Sequence, residues 1–309
     1  MFLFSLVEKR KTYFIFSGIV IGLGILAMVY SFATTGSPFL LGVDFRGGAR
    51  FEVQFTEAVT ETAVEDVFTE AGITNPSIIA LRGEGLQNAW QIRTETLSPE
   101  MAQAIENALN DLAPLVPNST QVESVSGTVA GEVTNAAFIA VVVAGVIVLV
   151  YIMVVFRQVP NPFRYGACAV AAMVHDLFVI FGVAALTGMI LGWEVDALFL
   201  TAVLTVAGFS LQDTIVVFDR IRENIAKRPL EKYERVVNRS ILETIHRSLA
   251  TQLNAMFIMV AILLFGGASI KPFIAVLFIG LLSGTYSSIF TAVPLLVAWE
   301  KNEIPFLKA

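Results

Sequence analysis

Six stretches of the chain are apolar almost without interruption: Tyr13–Ala33, Ala136–Phe156, Tyr165–Gly188, Asp196–Phe218, Leu249–Gly267 and Phe273–Trp299. Each is near the ~20 residues an α-helix needs to cross ~30 Å of hydrocarbon, so the pattern predicts six transmembrane helices. Between the first two runs the pattern changes. Phe51, Val53 and Phe55 alternate with Arg50, Glu52 and Gln54, the period of a strand with one buried face. Val59, Ala63, Val67, Phe68 and Ala71 then recur at helical spacing, and Gly72 suits the position just past a helix end. Strands are expected over Ile78–Arg82 and Ala89–Thr94, flanking Gly83-Glu84-Gly85. Ser98-Pro99 supplies a cap and a first residue for a second helix, with Met101, Ala104, Ile105, Ala108, Leu109 and Leu112 as its apolar stripe. A last strand fits Thr120–Val125.

The order β-α-β-β-α-β predicts the ferredoxin-like split motif. The fold class expected is therefore a membrane all-α bundle of six transmembrane helices carrying a small α+β ferredoxin-like (βαββαβ) domain. The predicted division is residues 1–33 for the N-terminus and first helix, 34–134 for the domain, and 135–309 for helices two to six, with a basic loop at 219–248.

Composition agrees with a membrane protein. Hydrophobic residues make up 56% and charged residues 15% of 309 positions, where a soluble domain carries roughly 25% charged residues. A net charge of −6 with no basic tail argues against a nucleic-acid partner. The single cysteine, Cys168, excludes a disulfide framework within the chain. The first run follows Glu8-Lys9-Arg10-Lys11 and ends on Ser31-Phe32-Ala33, which invites comparison with a signal peptide, but its apolar core exceeds the ~7–15 residues of such segments. A retained helix is expected. Fifteen Lys/Arg residues fall on the side of the N-terminus, Lys301 and Lys308 among them, and the short loops opposite hold only Lys271. That asymmetry predicts cytoplasmic termini and an extracytoplasmic 34–134 segment, which carries 14 Asp/Glu against 4 Lys/Arg and no His or Cys. The acidic residues read as a solvated surface.

Polar residues inside the apolar runs carry the chemistry, because a charge in hydrocarbon is costly and rare. His175-Asp176 lies ~16 Å into the third run at 1.5 Å per residue. Asp213 sits in the fourth, seven residues before Arg220. Gln212 adjoins it as a further amide. At the start of the fifth run Arg247, Thr251 and Asn254 share a helix face by the i, i+4, i+7 rule, with Gln252 beside them. Asp213 has two readings: a structural ion pair with Arg247, or a carboxylate that binds and releases protons with Arg247 tuning it. His175-Asp176 is open between a proton-handling pair and a packing hydrogen bond. Gly18 and Gly22, and Gly280 and Gly284 with Ser288, read as close helix contacts.

Several motifs resemble one family. Gly42-Val43-Asp44-Phe45-Arg46-Gly47-Gly48 is similar to the GxDFxGG signature of the SecD/SecF protein-export family, and Gly208 to Asn224, through Asp213, Asp219 and Arg220, resembles its G-Y-S-x-N-D-T-V-V-V-F-D-R-I-R-E-N block. His175-Asp176, the segment from Arg247 to Gly267, and Gly284-Thr285-Tyr286-Ser287-Ser288-Ile289-Phe290 resemble its remaining blocks, in order. Gln212 stands where the family has Asn, and Thr251-Gln252-Leu253-Asn254-Ala255 replaces a Thr-Ser-x-Thr-Thr stretch. The resemblance implies a bacterial inner-membrane subunit that pairs with SecD, associates with the SecYEG channel and uses the proton-motive force to help a translocating preprotein outward, without cofactor or catalytic residue. It assigns Asp213 and Arg247 to the proton path. An efflux transporter of the same resistance-nodulation-division superfamily is the first alternative, but such chains are about twice as long with a repeated half, and no repeat is present. An aspartyl protease using Asp176 and Asp213 would call for Gly-x-Gly-Asp, whereas Asp213 follows Ser-Leu-Gln. A non-conducting scaffold is the third.

Overall fold

The computed structural model describes residues 5–74, 76–83, 86–117, 119–267 and 270–303; Glu84, Gly85 and Lys308, noted above, lie outside them. In chain order the elements are α1 (Arg10–Thr35, after a 3₁₀ turn at Val7–Lys9), α2 (Val43–Arg46), β1 (Gly48–Gln54), α3 (Glu61–Glu70), β2 (Ser77–Gly83), β3 (Leu86–Thr94), α4 (Pro99–Leu112) and β4 (Gln121–Val125). Then come α5 (Gly127–Val155), α6 (Pro162–Leu191), α7 (Ala197–Lys227), α8 (Tyr233–Phe265), α9 (Lys271–Ser287), a π-helical segment (Ser288–Ala292) and α10 (Val293–Glu300). Among the described residues, six helical stretches are long and apolar enough to cross a membrane, the last running from Lys271 to Glu300 through the π segment. The chain divides into a sheet unit, Leu40–Phe138 with Glu194–Ala197, and a helical unit made of the rest.

The sheet unit has strand order β2-β3-β1-β4, with every pair antiparallel. The expected alternation holds in β1: Phe51, Val53 and Phe55 are at most 2% exposed. Phe51 meets Phe68 of α3 edge-on, with ring centroids 5.3 Å apart. Ile92, Ile105 and Leu109 complete this core, each buried side chain contributing ~1.5–3 kcal/mol. Both helices are capped, α4 by the expected Ser98 and α3 by Thr60. Thr60 Oγ1 accepts from the Ala63 amide, and Ser98 Oγ accepts from the Met101 amide, each at 3.3 Å. The apolar stripe of α4 differs from expectation. Ala102, Ile105 and Leu109 face inward, while Met101, Ala104, Ala108 and Leu112 are exposed. A short helix needs only one residue per turn to cover the core.

In the helical unit, Phe156 stacks on Tyr165 at 5.5 Å and Phe218 meets both rings edge-on. Ile152, Ile221, Ile241 and Leu296 pack around them, all fully buried. The close contact of α1 is made at Gly24 rather than at Gly18 and Gly22: a Cβ on Gly182 of α6 would lie 2.5 Å from the Gly24 Cα, whereas a Cβ added at Gly18 or Gly22 would meet nothing from another element within 4 Å. Gly280 and Gly284 do pack as expected, against Val206 and Ser210 of α7. The basic segment at 219–248 is not a loop. It is the end of α7 and the start of α8, joined by residues 228–232. Apolar content drops there, but Arg222–Asp219 at 2.6 Å and Arg220–Glu223 at 2.9 Å are pairs three residues apart that support helix.

Candidate functional site

One face of α7 organises the polar interior. Val206, Ser210, Asp213 and Val217 recur at four- and three-residue steps and are all buried. That spacing aims Ser210 and Asp213 into the bundle side by side.

Ser210 turns toward Asp176 of α6, whose carboxylate is fully buried. Three hydroxyls donate to it at 2.6 Å each: Ser210 and Ser287 to Oδ2, and Ser283 to Oδ1. His175 Nδ1 lies 3.1 Å from Oδ1, so these adjacent side chains meet although neighbouring helical residues diverge by ~100°. The imidazole stacks on Tyr286, centroids 6.0 Å apart, and its Nε2 is buried with no hydrogen-bond partner among the described residues. Tyr286 in turn donates to the Tyr13 carbonyl of α1 at 3.1 Å. A buried carboxylate is tolerated only when hydrogen-bonded, and charge-assisted O–H···O⁻ bonds are short, ~2.5–2.7 Å. The geometry at Asp176 is that of an anion caged by hydroxyls. Ser283 is absent from the motifs read in the sequence and Ser287 enters them only within the Gly284–Phe290 block; the signal for both is the i, i+4 spacing on one face of an apolar helix.

Asp213, 4% exposed, accepts from Gln252 Nε2 of α8 at 2.6 Å. The expected partner was Arg247. Among the described residues no ion pair joins Arg247 to Asp213, and the inward face of α8 is Ser248, Gln252 and Met259. Arg247, Thr251 and Asn254 do share a face, but that face is exposed, and the Thr251 hydroxyl bonds back to the Arg247 carbonyl at 3.0 Å. Gln212 is exposed as well, so it does not add a buried amide. A cleft of about 360 Å³ includes Gln252 in its lining, with Leu249, Met256, Leu282 and Tyr286.

The motif blocks have separate local roles. Asp219 pairs with Arg222. Arg220 Nε donates to Glu243 at 2.6 Å, and buried Asn224 donates to Ser240 and Glu243 at 3.0 Å, binding the extension of α7 to that of α8. In the sheet unit, Gly47 and Gly48 have φ of +79° and +120°, and a Cβ on Gly48 would lie 2.5 Å from the Thr94 carbonyl oxygen. Only glycine suits both demands. The half-buried Phe45 accepts at its carbonyl from Thr134 Oγ1 at 3.4 Å.

Comparison with known proteins gives a consistent result. Residues 104–302 match the family described as protein export membrane protein SecD/SecF, C-terminal, and residues 32–59 match the SecD/SecF GG motif. Protein translocase subunit SecF of Anaerolinea thermophila is 38% identical over 302 residues, covering 97% of this chain and 95% of that one. The SecF subunit of Thermobaculum terrenum is 40% identical over 279 residues, 85% of each chain. The crystal structure of SecDF from Thermus thermophilus, a translocon-associated membrane protein, superposes with a TM-score of 0.79 at 26% identity. The match covers 97% of this chain and 40% of that one.

Proposed function

The chain belongs to the SecD/SecF family of protein-export membrane proteins, and we propose that it is an accessory subunit of the Sec translocase that works with SecD. In this reading it spans the bacterial plasma membrane with both termini in the cytoplasm and the sheet unit outside. It promotes passage of preproteins through the SecYEG channel by using the proton-motive force. The Lys/Arg asymmetry supports the orientation. The strand order β2-β3-β1-β4, with a helix after β1 and another after β3, supports reading the sheet unit as a ferredoxin-like split motif.

The observation that carries the mechanism is a carboxylate buried between two membrane-length helices with a neutral amide as its bonded partner: Asp213 on α7 against Gln252 on α8. An arginine at that place would hold the anion; an amide lets the carboxyl exist with or without its proton, since Gln can donate to the anion or turn its carbonyl to accept from the acid. Loading a proton from the outer side removes the charge and changes what α7 and α8 offer each other; release to the cytoplasm restores it. Arg247 stands on the exposed face of α8 and enters the path from there, with SecD covering that face. One proton crossing ~100 mV supplies ~2.3 kcal/mol, enough to bias a two-state helix arrangement. Asp176 acts differently: its hydroxyl cage ties α6, α7 and α9 together.

The test is proton flux and export stimulation in vesicles holding the chain with SecD and SecYEG. Asp213→Asn and Arg247→Met should abolish both while the complex still assembles. Normal flux in Asp213→Asn would sink the proton role, and normal flux with lost assembly would make the pair structural.

A further inference from the structure

Besides Asp213, the helical unit buries a second titratable pair. His175 stands near the middle of α6, beside Asp176, and is 6% exposed. The serine hydroxyls divide the Asp176 carboxylate unevenly. Ser210 and Ser287 both serve Oδ2, while Oδ1 takes only Ser283 and keeps a lone pair for His175 Nδ1, 3.1 Å away. An acceptor at that distance sets the tautomer. Nδ1 carries the hydrogen and donates it, which leaves Nε2 as the bare acceptor of a neutral ring. Nε2 is buried and has no hydrogen-bond partner among the described residues. Buried polar atoms are paired in all but a few cases, so an open one in mid-helix calls for a reason.

Both groups that touch the imidazole can accommodate a protonated ring. Burying a cation is costly unless an opposite charge pairs with it, and the Asp176 carboxyl stands at Nδ1. Tyr286 of α9 lies nearly parallel to the ring, with centroids 6.0 Å apart and planes 27° from each other, the reach at which an aromatic face attracts a cation. That face is held from α1: the Tyr286 hydroxyl donates to the Tyr13 carbonyl at 3.1 Å and accepts from Ser17 at 3.4 Å, and Ser17 lies 3.4 Å from Thr291 Oγ1. The other helices packed against α6 turn their charges elsewhere. Asp213 of α7 accepts from Gln252 of α8, and Glu300 of α10 pairs with Arg164 at the start of α6. The π segment has no titratable residue.

We propose that His175 is a second proton-binding site of this chain, loaded at Nε2 and held by Asp176 and Tyr286. The step is a plain protonation. Nε2 gains the proton, Nδ1 keeps its own, and no other bond is made or broken. On loading, Asp176 Oδ1 is drawn from the Ser283 hydroxyl toward the imidazolium, so α6 gives up a contact with α9 for one within itself. The role in transport rests on the proton-driven reading given above for Asp213. The two sites are separate but share a helix, since α7 meets one through Asp213 and the other through Ser210 on the same face.

The chain has two histidines, and the other, His246, is exposed. His246→Gln therefore leaves His175 as the sole imidazole, and ¹⁵N-histidine labelling of the full chain, in vesicles with unlabelled SecD and SecYEG, reads its two nitrogens directly. Nε2 should pass from bare to protonated as the pH falls from about 8 to about 5, with Nδ1 protonated throughout. A ring that keeps one form over that range overturns the proposal. In the same vesicles His175→Gln can still donate to Asp176 but cannot take a proton. Its proton flux and export stimulation should fall at least about fivefold, the low end of coupling between sites, and lose their dependence on pH over that range. Native flux and export in His175→Gln overturn the role in transport even if the ring titrates. Should His175→Gln fail to assemble, the His246→Gln protein decides: its export must change in step with the Nε2 signal, and a profile that ignores the signal overturns the role. Asp213→Asn separates the two claims. Native flux in that variant sinks the proton reading and leaves the ring signal to judge His175 as a proton site, whereas lost flux there beside native flux in His175→Gln sinks only the present proposal.

Discussion

The hydroxyl cage around Asp176 makes a sharp prediction. Ser210, Ser283 and Ser287 each place one hydroxyl 2.6 Å from the carboxylate, and each is nearly or fully buried. Hydrogen bonds to charged groups contribute ~1.5–3 kcal/mol, while interhelical polar bonds in membranes average ~0.6 and reach ~1.7. The overlap of these ranges sets an expected loss of ~1.5 kcal/mol for each Ser→Ala change, close to tenfold in the unfolding equilibrium. The atoms also dictate how the losses combine. Ser210 and Ser287 share Oδ2, whereas Ser283 alone serves Oδ1 with His175. Deleting both Oδ2 donors leaves that oxygen bare, so the Ser210→Ala, Ser287→Ala pair should lose more than the sum of its members by ~0.5 kcal/mol or more. Either one combined with Ser283→Ala should come closer to additive. Reversible unfolding of the full chain in mixed detergent micelles measures all of these, with Thr205→Ala as the control, its exposed hydroxyl bonding only to the Thr201 carbonyl. Losses below ~0.5 kcal/mol at all three serines, or coupling independent of which oxygen is shared, would refute the account of Asp176 as a caged anion.

Two further outcomes follow from the packing and the charges. Gly182→Ala should prevent α1 from seating on α6, because its Cβ would lie 2.5 Å from the Gly24 Cα, whereas Gly22→Ala meets no atom within 4 Å and should leave melting unchanged; equal effects in a thermal melt would refute the contact. In the sheet unit, burial raises the Glu194 carboxyl above its ordinary value against the pull of Arg93, Arg50 and Gln91, and Asp196 adds to the rise. Glu52 is likewise raised by burial, opposed by Arg50 and assisted by Glu123 and Asp196. A raised acid stabilises the fold in its protonated form: the contribution is complete below the unfolded value and is lost as pH climbs through the folded one. Melting of native protein minus that of Glu194→Gln should therefore decline as pH rises from about 4.5; a rising difference would reverse the sign assigned here.

Much of this architecture was legible in the chain because membrane helices and half-buried strands impose strict periods. The β1 alternation at 50–55 and the cap at Ser98 recur in the structure nearly residue for residue. The ends of α7 and α8 were under-read because hydropathy stops at the hydrocarbon, while a helix continues wherever charged side chains pair along it. Arg247 illustrates a different limit. Periodicity grouped it correctly with Thr251 and Asn254, but a single helix has no preferred inside, and the buried face proved to be the neighbouring one with Gln252. The Asp176 cage was hidden because serine is common in membrane helices and says nothing of its partner 107 or 111 residues away. Glu194 lay in a short connection, its Gln91 partner 103 residues earlier.

The π segment at Ser288–Ala292 has a consequence for how this helix tolerates change. A turn wound i to i+5 holds about one residue more than its α neighbours, so it acts as slack in an otherwise rigid rod. Above it, Ser283 and Ser287 face Asp176; below it, Val293, Leu296 and Val297 face the aromatic cluster of Phe156 and Phe218. Losing a residue elsewhere between Ser283 and Val297 would rotate members of these sets ~100° relative to one another. Losing one within 288–292 would only tighten the wide turn to α winding, leaving both sets aimed as they are. That segment is the place in the helix where the chain can change length by one residue and keep both of its appointments.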